Sequence, residues 1–200
     1  MPHLLLAALA ATLVSGNAIA AGDAAAGKAK SATCVACHGA DGNSIAPNFP
    51  KIAGQHEAYI VKQLNEYKSG NRVNAVMQGM VATLNEQDIL DLAAYYAAQT
   101  PTIGQAAADK AELGETIYRA GNAASGVSAC IACHGPTGNG NPMANFPSLQ
   151  GQHAMYTAEQ LKHFRSGQRA NDAGAMMRGV AGKMTDAEIE AVAEYIQGLN

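Results

Sequence analysis

Two short segments of the sequence hold residue types whose spacing could support chemistry. Each contains two cysteines three positions apart and a histidine directly after the second: Cys34, Cys37 and His38 in one segment, and Cys130, Cys133 and His134 in the other. On a helical turn, residues i and i+3 lie on the same face, so both thiols of a segment can bond to the two vinyl groups of one haem. The histidine then offers a ring nitrogen to the iron as proximal ligand. The pattern predicts two covalently bound haem c groups, one at each segment.

Two other kinds of site use the same residue types. Four cysteines in two pairs could bind one tetrahedral zinc ion, but the two segments would then share a metal and both histidines would have no role. A thioredoxin-like redox pair is expected within a βαβ pattern, which this sequence does not show. Haem attachment uses every one of these residues, and it leaves none of the four cysteines for a disulfide.

The sixth coordination position of each iron decides between electron transfer and ligand binding or peroxide chemistry. Met77 and Met177 match one another in the two halves of the chain, 39 and 43 residues after their histidines. A glycine, Gly79 or Gly179, lies two positions after each methionine. We expect a turn there that brings the backbone close to the haem. We predict Met77 and Met177 as the axial ligands; a methionine that only fills the core is the alternative for either one.

Two further matched pairs are candidates for contact with the haems. His56 and His153 follow the proximal histidines by 18 and 19 residues, so bis-histidine ligation is a second, less favoured hypothesis. Arg72 and Arg169 follow the middle helix of each half. They could reach haem propionates, because a guanidinium matches the fork of a carboxylate, or they could be solvated charges at the helix ends.

These motifs lie within a duplication of the chain. Asn-Phe-Pro occurs at 48–50 and 145–147, and Gly-Gln-His occurs at 54–56 and 151–153. The offset drifts only from 96 to 100, and a period this long indicates a duplicated domain rather than a solenoid. Pro101 and Gly104 mark the join, so we predict an N-terminal domain at 21–102 and a C-terminal domain at 103–200.

Each half is predicted to be helical. A middle helix is expected over 57–68 and 154–165, and a last helix begins near Asn85 or Thr185, where capping residues precede apolar positions at i, i+3, i+4 and i+7. No segment shows sustained strand alternation, so the predicted fold class is all-α. Each half is small, and the chain has no tryptophan. The core of each half would therefore be thin, and a covalently held apolar cofactor would complete it.

The first twenty residues are predicted to be an export signal. Leu4–Val14 is an apolar run too short to span a bilayer, and Ala18-Ile19-Ala20 is the small-x-small pattern that precedes a cleavage site. No lysine or arginine precedes the run, which is unusual for a signal peptide. We therefore expect residues 1–20 to be removed and the protein to reach the periplasm. The net charge of −3 and the absence of a basic stripe argue against nucleic acid as a partner.

These motifs resemble those of the cytochrome c4 family, the di-haem members of the class I cytochromes c, and the similarity covers essentially all of the chain after residue 20. The resemblance implies two cytochrome c domains related by approximate two-fold symmetry, with both haems near the interface. It implies His/Met ligation, with the family's axial methionines at Met77 and Met177. It also implies a periplasmic carrier with redox proteins as partners: a terminal oxidase as acceptor and an upstream cytochrome or quinol-oxidising complex as donor. Peripheral membrane association is compatible with this family.

We therefore expect an electron-transfer protein of a respiratory chain, not an enzyme, and no small-molecule substrate. A di-haem peroxidase would need one iron without a sixth ligand, whereas a candidate methionine is present in both halves. The haem subunit of a flavin-dependent, flavocytochrome-type sulfide-oxidising enzyme is the remaining alternative, because such subunits resemble this fold. Co-purification of a flavoprotein would favour it.

Overall fold

The computed structural model describes residues 21–200, so the predicted signal peptide at 1–20 lies outside the described residues. The helices of the first half are α1 (Ala24–Lys30), α2 (Val35–His38), α3 (Glu57–Ser69), α4 (Ala75–Val81) and α5 (Glu86–Ala97). Those of the second half are α6 (Ala108–Ala120), α7 (Ile131–His134), α8 (Ala154–Ser166), α9 (Met176–Ala181) and α10 (Asp186–Gln197). Over 21–200, extended backbone pairs only in two isolated bridges, which confirms the all-α prediction. No helix in this range is long and apolar enough to cross a membrane.

Local sequence explains where the long helices begin. Asn85 and Thr185 accept hydrogen bonds from the backbone of Asp88 and Glu188, whose side chains bond back to the capping residues. These two capping boxes satisfy N–H groups that the first turn of a helix leaves free. They confirm the predicted starts of the last helix of each half.

The first and last helices of each domain cross at a glycine. A Cβ on Gly27 of α1 would lie 2.0 Å from the Asp91 carbonyl oxygen of α5, and one on Gly114 of α6 would lie 2.2 Å from the Ala191 carbonyl oxygen of α10. Any side chain would therefore push the helices apart. This close crossing forms the frame that carries the two cysteine–histidine segments.

Each domain has its own small core, in contact with the first cysteine of its motif. In the N-terminal domain, Cys34 packs against a cluster of buried residues: Ile60, Leu92, Ala93, Tyr95 and Tyr96. In the C-terminal domain, Cys130 packs against another such cluster: Ile117, Tyr118, Val127, Met184, Ile189, Val192, Ile196 and Leu199. Covalent attachment at these cysteines would place an apolar group directly on the core of each domain.

The two domains meet through reciprocal hydrogen bonds. Gln55 Nε2 donates to the Ser148 carbonyl oxygen at 2.9 Å, and the Ser148 N–H donates to Gln55 Oε1 at 2.9 Å. Gln152 makes the same pair of bonds with the backbone of Lys51, at 2.7 and 2.9 Å. Because Gln55 and Gln152 are repeat partners, these contacts relate the domains by approximate two-fold symmetry.

Candidate haem attachment sites

Each cysteine–histidine segment forms a single helical turn. The His38 N–H donates to the Cys34 carbonyl oxygen at 2.9 Å, and the Cys37 N–H donates to the same oxygen at 3.2 Å. The second segment repeats both bonds with the same lengths. Within residues 21–200, no disulfide joins any of the four cysteines. The turn therefore gives the two thiols of each segment the i, i+3 relation that attachment to one haem needs.

Each turn ends at the residue after the histidine. Gly39 and Gly135 both have φ of 78°, a conformation that side chains disfavour. Their N–H groups still bond to the carbonyl oxygens of Val35 and Ile131. The glycine therefore closes the turn and redirects the chain directly after the histidine.

A backbone carbonyl orients each proximal histidine. His38 Nδ1 lies 2.9 Å from the Pro50 carbonyl oxygen, and His134 Nδ1 lies 3.0 Å from that of Pro147. A carbonyl oxygen can only accept, so Nδ1 carries the hydrogen and Nε2 keeps the lone pair that binds a metal. Both rings are buried, and burial lowers the pKa of both histidines although the bond to the proline carbonyl opposes it. The neutral imidazole is the form that ligates iron.

These bonds give a role to the repeated Asn-Phe-Pro segments. In the sequence these segments are evident only as a match between the two halves, and their residue types alone predict no function. Pro50 and Pro147 follow the histidines by 12 and 13 residues. This nearly constant spacing could have predicted the contact. In a histidine ligand, the ring nitrogen that does not bind the metal commonly donates its hydrogen to an acceptor.

The two candidate methionines occupy equivalent short helices. Met77 lies in α4, where its N–H donates to the Asn74 side chain at 3.0 Å, and Met177 lies in α9. Both side chains are half-buried. The neighbouring Met80 and Met176 are exposed, by 43% and 45%. The expectation of a turn after each candidate is wrong, because the chain stays helical, and axial ligation itself remains a prediction.

The surroundings of the motifs fit a covalently bound haem. Gly79 and Gly179 lie inside α4 and α9 with no protein atom within 4 Å of their Cβ positions. Glycine inside a helix costs about 1 kcal/mol relative to alanine, and its presence in both helices is explained if a bound group approaches the backbone there. Burial raises the pKa of the Cys130 thiol to about 11. An un-ionised thiol of this kind is no ready metal ligand.

Neither alternative metal site is formed. Within residues 21–200, no group of three or more histidine, cysteine, aspartate or glutamate side chains is arranged to hold a metal ion, so the cysteines do not converge on a shared zinc site. His56 Nε2 lies 2.7 Å from the Asn139 carbonyl oxygen, and His153 Nε2 lies 2.7 Å from that of Ser44. Both histidines therefore join the two domains, which gives no support to bis-histidine ligation.

The hypothesis that Arg72 and Arg169 are solvated helix-end charges is wrong. Their exposed fractions are only 7% and 8%. Both guanidinium groups form hydrogen bonds with the other domain. They belong to the interior of the interface between the domains.

Two helical domains that each present a cysteine–histidine turn define a di-haem c-type cytochrome. The sequence matches the cytochrome c family over residues 24–100 and again over 111–200. Cytochrome c4 of Azotobacter vinelandii is 50% identical over 197 residues, with 94% of each chain covered. Cytochrome c4 of Pseudomonas aeruginosa is 48% identical over 201 residues, with 100% of each covered. The crystal structure of reduced recombinant cytochrome c4 from Pseudomonas stutzeri matches with a TM-score of 0.88 at 49% identity, covering 90% of this chain and 100% of that one.

The chain belongs to the cytochrome c4 family. It is a di-haem electron-transfer cytochrome with two covalently bound haem c groups, and it exchanges electrons with redox partner proteins. Similarity to cytochrome c4 along the whole chain supports the electron-transfer prediction over the alternative of a flavocytochrome haem subunit.

Proposed function

We propose that this protein carries single electrons in the periplasm and is not itself an enzyme. The haems are attached at the four cysteines and ligated by one histidine and one methionine each: Cys34, Cys37, His38 and Met77 in the first domain, and Cys130, Cys133, His134 and Met177 in the second. The single observation that carries this assignment is the pair of buried histidines whose Nδ1 hydrogen is given to a proline carbonyl. That bond leaves Nε2 free to bind metal in both domains.

The domain limits proposed are 21–102 and 103–200. The Thr102 N–H donates to Asn43 Oδ1 of the first domain at 2.8 Å. Two residues later, the Gly104 N–H donates to the Gln197 carbonyl oxygen of the second domain at 3.0 Å. The change of hydrogen-bond partner between these residues supports a boundary after Thr102.

When bound, each haem supplies an iron that cycles between the ferric and ferrous states. The residues of the chain set the conditions for that cycle. A methionine thioether favours the ferrous state and so raises the reduction potential. The carbonyl of Pro50 or Pro147 holds the histidine in one orientation, so the ligand needs little rearrangement when the charge changes. Burial of the histidines limits access of water to the ligand.

The acceptor proposed is a terminal oxidase or a similar respiratory complex, and the donor is an upstream cytochrome or a quinol-oxidising complex. Export is supported by the apolar run Leu4–Val14 and the small-x-small pattern after it. Binding of the protein to the membrane surface is compatible with this role. No small-molecule substrate is turned over.

Far-red absorption of the oxidised holoprotein tests the axial ligands. Ferric haem with methionine sulfur as a ligand has a weak charge-transfer band, and we expect Met77→Ala and Met177→Ala each to remove about half of it. The matched controls are Met80→Ala and Met176→Ala, which change exposed neighbours and should keep the whole band. A band that survives in the Met77→Ala/Met177→Ala double variant would show that the axial assignment is wrong.

A further inference from the structure

The segments that lead into the two methionine helices, α4 and α9, differ between the domains. Gly70 and Gly167, which end the preceding helices, are 97 positions apart, whereas Met77 and Met177 are 100 positions apart. The second domain therefore has three additional residues before its methionine helix. An insertion at this place changes how the helix begins, although the two methionines are equivalent in the repeat.

The first domain caps its methionine helix with a residue of its own. The Met77 N–H donates to Asn74 Oδ1 at 3.0 Å, and the Gln78 N–H donates to the Asn74 carbonyl oxygen at 2.9 Å. Asparagine is preferred at this position because its side chain accepts from an N–H group that the first turn leaves without a partner. The repeat partner of this residue in the second domain, Asn171, does not cap α9.

The second domain begins its methionine helix with a strained backbone. Gly174 and Ala175 both adopt the left-handed conformation, with φ of 58° and 57°, and no side chain caps the helix at Ala175. A residue other than glycine in this conformation is strained, and it persists only where surrounding contacts fix it. Contacts from neighbouring residues must therefore hold the start of α9.

Asp172 supplies one of these contacts. Its side chain is only 4% exposed, and it accepts from the Arg178 N–H at 2.9 Å and from Arg178 Nε at 2.8 Å. The Ala175 N–H donates to the Asp172 carbonyl oxygen at 3.2 Å. Hydrogen bonds between ionised groups are stronger than those between neutral groups. Because Arg178 directly follows Met177, the Asp172 carboxylate fixes the backbone next to the methionine.

The residue before Asp172 is anchored to the first domain. The Asn171 carbonyl oxygen accepts from Lys62 Nζ of α3 at 2.7 Å, and Asn171 Nδ2 donates to the Glu66 carboxylate. Lys62 and Glu66 also form an ion pair with each other at 2.6 Å. Since Asn171 and Asp172 are consecutive, α3 of the first domain restrains the segment that carries Met177.

This restraint acts in one direction only. The residues of the second domain that match Lys62 and Glu66 in the repeat are Glu159 and His163. Both line a groove that α8 forms with α6 and α10 of their own domain. Within residues 21–200, neither side chain forms a hydrogen bond with the first domain, so the two methionine helices are supported differently.

We propose that Lys62 and Glu66 of the first domain are positioning residues for the Met177 ligand of the second haem, whereas Met77 is positioned by its own domain. The axial ligand of the second haem then depends on contact between the domains, and that of the first haem does not. This inference rests on the proposed axial assignment of Met77 and Met177. It assigns a functional difference to two sites whose cysteines, histidines and methionines are the same.

A methionine that is held from another domain should be easier to displace when that contact is lost. Imidazole replaces methionine sulfur at a ferric haem iron without a change of oxidation state. The imidazole concentration for half replacement therefore measures how firmly each methionine is held. A hydrogen bond to a charged group changes an equilibrium constant by about a factor of ten or more.

The test is an imidazole titration of the oxidised holoprotein, followed by the far-red band and by NMR signals of the haem methyl groups. Met77→Ala and Met177→Ala assign these signals to the two haems. In the Lys62→Ala/Glu66→Ala variant, we expect the half-replacement concentration to fall roughly tenfold at the second haem and to stay unchanged at the first. Alanine favours helix, so both changes are compatible with α3.

Three further variants test the direction of the effect. Lys62→Arg keeps a charged donor and should restore the behaviour of wild type. Glu159→Ala/His163→Ala is the matched control, because it changes the equivalent positions of α8 and should alter neither haem. Asn74→Ala should give the opposite pattern, with easier replacement at the first haem alone, because Asn74 caps only α4.

Three results would overturn the proposal. Easier replacement at both haems in the Lys62→Ala/Glu66→Ala variant would show a general loosening of the interface. A lower melting temperature with an unchanged titration at the second haem would show a purely structural contact, and a far-red band halved by Met177→Ala would leave the axial assignment intact in that case. A band that Met177→Ala leaves complete would overturn the axial assignment and this inference with it.

Discussion

Asp91 links the first and last helices of the N-terminal domain. Its carboxylate accepts from the Asp23 N–H at 2.9 Å, from Lys30 Nζ at 2.6 Å and from Gln87 Nε2 at 2.8 Å. These three donors lower the pKa of Asp91 to about 2, the Asp23 N–H having the largest effect. An unfolded aspartate has a pKa of about 3.9. The stabilisation is therefore complete above about pH 4 and is lost as the pH falls toward 2.

We predict that Asp91→Asn lowers the melting temperature at pH 7, and that its difference from wild type shrinks as the pH falls from about 4 to about 2. The neutral amide can still accept from the backbone, but it no longer pairs with the Lys30 ammonium. Circular dichroism melts across this pH range measure the difference. Asp109→Asn, a change of an exposed aspartate in α6, is the matched control and should follow wild type. A gap between Asp91→Asn and wild type that stays constant at all pH values would contradict the proposed linkage.

For individual residues, the sequence was sufficient to predict those roles that depend only on neighbours along the chain. The spacing of Cys34, Cys37 and His38 is compatible with one helical turn, and that turn is present. The bond from His38 to Pro50 was not predicted, because its acceptor is a backbone carbonyl and no residue type marks one. The burial of Arg72 was missed for a related reason: its position after a helix suggests exposure, whereas contacts with the second domain help to bury it.

The crossing of α6 and α10 depends on the absence of a side chain at one position. The Cβ of an alanine at Gly114 would lie 2.2 Å from the Ala191 carbonyl oxygen and 2.7 Å from Tyr195 Cβ. Backbone atoms cannot rotate away as a side chain can, so the helices would have to separate. Overpacking of this kind costs typically 1–3 kcal/mol, more than the gain in helix propensity of about 1 kcal/mol.

We predict that Gly114→Ala lowers the free energy of unfolding by roughly 1–2 kcal/mol, measured by denaturant titration of the holoprotein. Thr116→Ala is the control in the same helix, because Thr116 is exposed and surface changes usually stay within about 0.5 kcal/mol. If Gly114→Ala and Thr116→Ala were equally stable, α6 and α10 would have room for a methyl group at position 114, which contradicts the close crossing described above.

Helices differ in how well their sequence predicts them. The bounds of α3 and α8 were predicted to within one residue, because each helix ends at a glycine, Gly70 or Gly167, that adopts the left-handed conformation with φ of 81° or 79°. The helices α4 and α9 were missed. They have only 7 and 6 residues, and each contains a glycine, so local propensity favours a turn. Packing of these helices against α3 and α8 decides their conformation, and that packing is not encoded in any local pattern.

For the whole molecule, the duplication predicted two similar domains but not the contacts between them. Gln55 and Gln152 were recognised as partners in the repeat, yet each bonds to the backbone of the opposite domain. In an arrangement with two-fold symmetry, a residue of one domain contacts a non-equivalent residue of the other domain. Comparison of equivalent positions in the repeat therefore cannot reveal these contacts. His56 and His153 were considered as iron ligands because they are matched in the repeat, whereas both bond to the backbone of the opposite domain.

The two glutamines provide the last prediction, which concerns the cooperativity of the molecule. Each satisfies a donor and an acceptor across the interface, and a hydrogen bond contributes about 1 kcal/mol. We predict that the Gln55→Ala/Gln152→Ala double variant uncouples the domains, so that one unfolding transition becomes two, and that proteolysis between residues 98 and 107 becomes faster. The backbone groups of Lys51 and Ser148 lose their partners in this variant, which adds to the loss.

Calorimetry and limited proteolysis of the holoprotein measure the two effects. Gln168→Ala replaces an exposed glutamine and should keep a single transition. The potentials of the haems in the double variant then carry further information. If the domains separate, reduction of one haem should affect the other less, because water enters between them and screens the charges. A double variant that still unfolds in one step would contradict this prediction, because the other contacts across the interface, such as those of Arg72 and Arg169, would then be enough to hold the domains together.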